Sequence, residues 1–218
     1  MPKSLHTILN HKIAALLLMG IAFGLIFVPF AKFPFKFMAI TALVLLFAYL
    51  QDGSLRGLNF KRLGIKEVAI IIALYIGLEL LMDFAIQPLV SKLFNEPADY
   101  SSFDFVKGDS AAYFKYLLYM WLSAAIGEEL LFRGFMTLQL QKLFGGRKLF
   151  IVLITAVLFS LPHLYPGISG LVMTFLFGLV FGFIYMRFKN IWINIIVHGL
   201  IDSLFLTLAY FGATGFYG

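Results

Sequence analysis

The sequence predicts an all-α membrane protein, a polytopic bundle of about seven transmembrane helices. Hydrophobic residues make up 61% of the 218 residues and charged residues only 13%, whereas soluble domains average roughly 45–50% and about 25%. The mean hydropathy is +0.95. A soluble globule of this length cannot hide so much apolar surface, so the chain must face lipid. The same composition excludes a disordered chain, a collagen and a coiled coil.

The cysteine count and the net charge exclude further classes of protein. The chain has no cysteine, which rules out a disulfide scaffold, a thiolate metal site and a cysteine nucleophile. The formal net charge is +6. We attribute this excess to loops at the membrane surface and not to nucleic-acid binding.

Seven apolar segments are long enough, or nearly long enough, to cross a bilayer at about 1.5 Å per residue. The second and the fifth segments are short. No soluble domain and no internal repeat separates them. The segments run approximately over residues 13–30, 35–50, 68–90, 111–140, 149–161, 171–187 and 191–211.

Positive charge predicts the orientation of these spans. On the side of the N-terminus the loops carry Lys3, Lys12, Arg56, Lys61, Arg62, Lys66, Lys142, Arg147, Lys148, Arg187 and Lys189. On the other side they carry Lys32, Lys36, Lys92, Lys107 and Lys115. Because cytoplasmic loops are enriched in lysine and arginine, we expect a cytoplasmic N-terminus and an outside C-terminus.

The fourth span carries three ionisable residues, each of which costs roughly 2.5–3.5 kcal/mol at a helix centre. They are Glu128, Glu129 and Arg133. Glu129 and Arg133 are four residues apart, so they can form an ion pair on one helix face. Glu128 then stays unpaired, which suits a general base. The pattern alone leaves open a structural ion-pair cluster that braces the bundle.

Two later spans contribute histidines. His163 follows Pro162, which ends the fifth helix, so it lies on irregular backbone. In the seventh span Asn194, His198 and Asp202 are spaced by four and share one stripe. We expect Asp202 to accept the Nδ1 proton of His198 and turn Nε2 inward. An interfacial histidine and a buried polar zipper are the alternatives.

Two further acids, Glu79 and Asp83, are four residues apart in the third span. Like charges at this spacing repel, so one is protonated or paired elsewhere. We interpret them as structural or as supports of the site, with a proton relay as the weaker alternative.

Three motifs together resemble the CPBP family, the CAAX-protease and bacteriocin-processing (Abi) intramembrane endopeptidases. The motifs are Glu128-Glu129-x-x-x-Arg133, Phe159-x-x-x-His163 and His198-x-x-x-Asp202. The resemblance covers about residues 113–211. It implies two parts of one integrated membrane domain: N-terminal helices and an outside loop over 1–110, and a four-helix catalytic core over 111–218.

The resemblance also implies an activity and a role for each motif residue. The activity is hydrolysis of a peptide bond in a membrane-associated peptide or protein. Glu128 and His163 would activate water, while Glu129 and Arg133 would orient the site. His198 and Asp202 would stabilise the oxyanion, although related proteins often carry asparagine at the last position. The expected location is a bacterial inner membrane, with the lipid bilayer and the substrate as partners.

A metal and other functions remain open. Glu128, His163 and His198 are three candidate ligands for zinc or another divalent metal, the number that a catalytic zinc site uses, and the family name metalloprotease agrees. However, Arg133 would repel a dication, so we expect a glutamate-activated water with any metal held weakly. The alternative functions are a non-catalytic scaffold or bacteriocin-immunity protein and, less strongly, a proton-coupled transporter.

Overall fold

The computed structural model describes residues 7–96, 99–164 and 167–214. Within these ranges the chain is helical and contains no strand. Seven principal helices overlap the seven apolar segments, although the first helix ends at Gly24, six residues before the end of its predicted segment. They are α1 (Lys12–Gly24), α2 (Phe35–Asp52), α3 (Ile65–Phe94), α4, α5 (Lys148–Ser160), α6 (Gly167–Phe188) and α7 (Ile191–Tyr210). Helix α4 consists of Ser110–Met120, the π-helix Trp121–Met136 and Thr137–Phe144 in direct succession.

Four of these helices are long and apolar enough to cross a membrane: α2, α3, α6 and α7. Two apolar helices are shorter, Lys12–Gly24 and Lys148–His163. Large apolar side chains such as Leu93, Phe84 and Phe114 lie on the outer surface, more than half exposed. The predicted fold class, an all-α membrane helix bundle, is therefore confirmed, while seven full crossings stay a prediction.

Helix α4 lies at the centre of the bundle. Its π-helical segment packs against α2 on one side and α7 on the other. Every residue from Gly127 to Met136 is buried. A π-helix bonds each amide to the carbonyl five residues earlier. The Thr137 hydroxyl accordingly donates to the Phe132 carbonyl, also five residues back, at 3.2 Å.

Helices α5 and α6 pack closely because α6 presents two glycines to α5. A Cβ atom added at Gly178 would lie 2.9 Å from the Ala156 Cα, and one added at Gly182 would lie 2.9 Å from a Val152 methyl. Both distances are too short for a real side chain. This contact brings Phe159, near the end of α5, alongside the centre of α4.

The helix ends gather into two polar groups, which we call the Gln51 end and the Tyr210 end. At the Gln51 end the amides of Gln51 and Gln139 exchange two hydrogen bonds of 3.0 and 2.9 Å. At the Tyr210 end the amide of Gly108 donates to the Tyr210 carbonyl at 3.0 Å. The loop before α4 is thereby tied to the end of α7.

Candidate active site

The Glu129 carboxylate is the centre of the polar site and is fully buried. Its Oε1 atom accepts a hydrogen bond from Arg133 Nη1 at 2.8 Å. The same oxygen lies 3.0 Å from His198 Nδ1. One carboxylate oxygen therefore joins the middle of α4 to the middle of α7, and the Glu129–Arg133 pairing has the geometry that their spacing predicts.

Arg133 is held by more than this ion pair. Its guanidinium carbon lies 4.2 Å from the centre of the Phe159 ring and 5.3 Å from that of Phe181. Its Nη2 atom donates to the Gly178 carbonyl at 3.5 Å. Stacking on two aromatic faces stabilises a desolvated guanidinium, so α5 and α6 fix the position of a charge that α4 carries.

The ring of His198 is oriented opposite to the sequence prediction. Nδ1 faces Glu129 at 3.0 Å, and Nε2 faces Asp202 Oδ2 at 3.6 Å. The predicted hydrogen bond from Nδ1 to Asp202 is therefore wrong. The physical reason is that Glu129, from another helix, occupies the Nδ1 side at hydrogen-bond distance. Since a carboxylate only accepts, Nδ1 carries the proton of this bond.

The clamp, as we call the contacts of Glu129 with Arg133 and His198, has Glu128 as its neighbour. Glu128 is not part of the clamp. Its side chain is buried, with a relative exposure of 8%. Among the described residues no hydrogen bond or ion pair engages its carboxylate. The charges of His198, Asp202, Glu129 and Arg133 all act on it. The site thus holds one restrained carboxylate and one unrestrained carboxylate side by side.

His163 lies on the 3-10 turn Leu161–His163 that follows α5, on irregular backbone as the proline predicts. Its Nδ1 atom is 3.0 Å from the Phe159 carbonyl. Because a carbonyl only accepts, Nδ1 carries a proton, and in the neutral ring Nε2 is the acceptor nitrogen. The charges of His198 and Arg133 act on this ring as well, so His163 lies near the clamp.

The two remaining polar residues of α7 have different surroundings. Asn194 is fully buried and its Nδ2 atom donates to the Phe181 carbonyl at 2.9 Å, which joins α7 to α6. Asp202 is partly buried and faces the imidazole of His198. The sequence stripe thus divides into one residue that joins two helices and two residues that face the site.

Two aromatic residues, Phe159 and Trp121, make contacts at the site that the sequence does not predict. The ring of Phe159 meets the rings of Phe132, His163 and His198, with centroid distances of 5.3, 5.3 and 6.3 Å. The indole of Trp121 donates to Ser203 at 3.0 Å. The spacing of Phe159 to His163 was a signal for the first, because four residues bring both side chains to one face.

The expected metal ligands do not form a metal site in this arrangement. Within the described ranges, no group of three histidine or acidic side chains has the geometry to hold an ion. Both nitrogens of His198 face carboxylates of the protein, and Arg133 adds a permanent positive charge beside them. The set Glu128, His163 and His198 does not fit a metal here, and no step below uses one.

The fold and the site define a membrane-embedded helical protein with a buried cluster of acidic, histidine and arginine side chains. Residues 110–204 match the family described as Type II CAAX prenyl endopeptidase Rce1-like. This match confirms the resemblance to CAAX proteases that the three motifs predict, and it supports an intramembrane protease at the level of the family of this segment. No curated protein and no solved structure matches the chain.

The matched segment has informative limits. It begins where α4 begins and ends within α7, two residues after Asp202. All six motif residues that we single out lie inside it. Helices α1, α2 and α3 lie outside it, so the family match leaves unassigned whatever these helices add to the site.

Proposed function

We propose that this protein is an endopeptidase that uses a glutamate-activated water to cleave a membrane-associated peptide or protein within the bilayer. One observation carries the proposal. Glu129 is clamped between Arg133 and His198, while the adjacent Glu128 is buried and has no such restraint. Two carboxyl groups with such different surroundings are suited to different roles.

Glu128 is the general base in this proposal. A base must be able to approach water and must not spend its oxygens on a permanent partner. Glu128 meets the second condition, and its residual exposure of 8% supports the first. Glu129 is less suited to this role, because its Oε1 atom already receives Arg133 and His198 and its Oε2 atom is fully buried.

His163 assists the same water. Its Nδ1 proton is directed to the Phe159 carbonyl, so the neutral ring offers an acceptor nitrogen on the opposite side. Phe159 connects this ring to Arg133 and to His198 through direct contacts. The charges of His198 and Arg133 act on Glu128 and on His163 alike, so in this proposal the two side chains orient one water between them.

His198 stabilises the oxyanion through Nε2. Glu129 fixes the Nδ1 side, and the 3.6 Å separation from Asp202 Oδ2 is longer than a hydrogen bond. The two flanking carboxyl groups stabilise an imidazolium, which donates from Nε2. An ionised Asp202 has no proton to donate, so it orients His198, whereas a protonated Asp202 would be a second donor.

In the proposed reaction Glu128 carries one proton from the water to the leaving nitrogen. Glu128 removes a proton from water while the water oxygen bonds to the peptide carbonyl carbon, and the carbonyl oxygen becomes an oxyanion. When the C–N bond breaks, Glu128 returns the proton to the leaving nitrogen. The products are a carboxylic acid and an amine. The low dielectric of a buried site strengthens each electrostatic contact.

The test is comparative peptidomics of membranes that contain the native chain or the Glu128→Gln variant. We expect at least one membrane peptide to lose a cleavage, because the amide cannot accept the proton. Loss of a general base lowers rates by roughly 10²–10⁴-fold. The control is Asp104→Asn, which removes an exposed acid in the loop before α4 and should leave every cleavage unchanged.

Two outcomes would reject this proposal. Identical peptide profiles, with both proteins present at equal amounts, would favour a non-catalytic scaffold or immunity protein. A pH-dependent flux across vesicles that disappears in Glu128→Gln without any change in peptides would favour a proton-coupled transporter. The transporter alternative rests on Glu79 and Asp83, the two acidic residues within α3.

A further inference from the structure

Three acidic side chains extend the site away from the clamp, toward α3. Glu79 and Asp83 of α3 are in hydrogen-bond contact, and the charge of Asp202 acts on Glu79. Asp202 in turn faces His198. A row of ionisable groups therefore runs from Asp83 through Glu79 and Asp202 to the imidazole of the site.

The row continues to the loop at the Tyr210 end. Burial and the nearby charge of Asp83 raise the pKa of Tyr100 to about 12. The Tyr100 ring packs on Phe205 with a centroid distance of 5.1 Å, and the Phe103 ring does so at 4.9 Å. Phe205 lies one helical turn after Asp202, so α7 connects the loop to the site.

Two oxygens in this row accept no hydrogen bond from the described part of the protein. Oε1 of Glu79 and Oδ2 of Asp202 are buried, and no hydrogen-bond donor of the described residues reaches either one. Among these residues no lysine or arginine forms an ion pair with Glu79 or Asp202. Buried polar atoms are nearly always hydrogen-bonded to protein or to ordered water. Buried oxygens without a hydrogen-bond donor therefore indicate water at this place.

We propose that Tyr100, Asp83, Glu79 and Asp202 line a water-containing route from the Tyr210 end of the bundle to His198. Ionisable groups at membrane depth face the bundle interior or a wet cavity. The role of the route rests on the proposed function, because each hydrolysed peptide bond consumes one water that lipid cannot supply. Its existence can be tested without any activity.

The absence of native cysteine makes a direct accessibility test possible. Glu79→Cys and Asp83→Cys are prepared in lipid nanodiscs and treated with a charged, water-soluble thiosulfonate, which reacts with thiolates in water. The control is Leu80→Cys, because Leu80 follows Glu79 but has a relative exposure of 58% on the outer surface. There lipid should shield a thiol.

We expect the cysteines at positions 79 and 83 to react at least about tenfold faster than the one at position 80, a difference of about 1.4 kcal/mol in barrier. Position 83, nearer the loop, should be the faster of the two. Rates equal to that of Leu80→Cys would overturn the route, since all slow means a dry bundle and all fast means a helix in open water.

A second measurement uses the native chain, so it tests the route even if the cysteine variants fail to fold. Radiolysis converts water into hydroxyl radicals, which oxidise the aromatic rings that lie next to that water. We expect oxidation of Tyr75, because the charges of Glu79 and Asp83 act on its hydroxyl group. We expect no oxidation of Phe84, which lies on the outer surface. An unoxidised Tyr75 would contradict the route even if Glu128→Gln abolishes cleavage.

Discussion

At the residue scale, the stability of the site depends on the buried ion pair of Arg133 and Glu129. Arg133 has a relative exposure of 1% and Glu129 of 0%. Each compensates for the desolvation of the other, and the rings of Phe159 and Phe181 add to this. Loss of Glu129 leaves the buried Arg133 without a counter-ion, and loss of Arg133 leaves Glu129 with His198 alone. Breaking a buried pair in this way costs more than the loss of the whole pair.

Arg133→Gln should therefore lower the free energy of unfolding by about 3–5 kcal/mol. The double variant Glu129→Gln with Arg133→Gln should lose less than the sum of the two single losses, because the two interacting charges are removed together. Chemical unfolding in detergent micelles measures both. Strictly additive losses would show that the ion pair is not coupled.

The matched control is the partly exposed pair at the Gln51 end. Lys142 Nζ lies 3.9 Å from Asp52 Oδ1, and exposed pairs contribute roughly 0–1 kcal/mol. Asp52→Asn should therefore change stability by no more than about 1 kcal/mol. A loss as large as that of Arg133→Gln would contradict the argument from burial.

Residue spacing predicted contacts within one helix better than contacts between helices. The Glu129–Arg133 pair followed from an interval of four residues. The orientation of His198 did not, because its Nδ1 partner is Glu129, 69 residues away. A sequence pattern shows which groups share a helix face, but it does not show which neighbouring helix presents a competing carboxylate.

At the element scale, the contact between α4 and α7 sets the geometry of the site. The apolar segments predicted all seven helices, but the π-helical part of α4 was not predicted, because hydropathy does not record the hydrogen-bond register. Gly199 of α7 packs directly on Trp121, where this π-helix begins. His198 is the preceding residue, so this approach positions the imidazole.

Gly199→Ala should destabilise the protein and reduce cleavage. A Cβ atom there would lie 2.7 Å from two carbons of the Trp121 ring, so α7 must shift and carry His198 with it. Overpacking of this kind costs typically about 1–3 kcal/mol. Unfolding in detergent and the cleavage assay measure the two effects.

Gly77→Ala on α3 is the matched control for this substitution. Nothing lies within 4 Å of a Cβ atom added at Gly77, and alanine is a better helix former than glycine by about 1 kcal/mol. The variant should be neutral or slightly more stable. Equal behaviour of the two variants would mean that the α4–α7 contact has room to spare.

At the scale of the whole molecule, contacts assign the helix ends to two sides. Asn10, Gln51 and Lys142 meet at one end, where Lys142 donates to Asn10 at 2.7 Å. At the other end Phe33 stacks on Tyr116 with a centroid distance of 6.0 Å. Loops therefore alternate between the two ends, as an up-and-down bundle requires, and the lysine-rich loops fall at the Gln51 end.

This alternation, with the positive-inside rule, predicts that the Gln51 end is cytoplasmic and the Tyr210 end is outside. A reporter fused after Gly218 should report an outside location. A reporter inserted between Gly145 and Gly146, an exposed turn with nothing within 4 Å of either added Cβ, should report the cytoplasm. Two reporters on the same side would contradict the crossing of α5, α6 and α7, because three crossings must separate these positions.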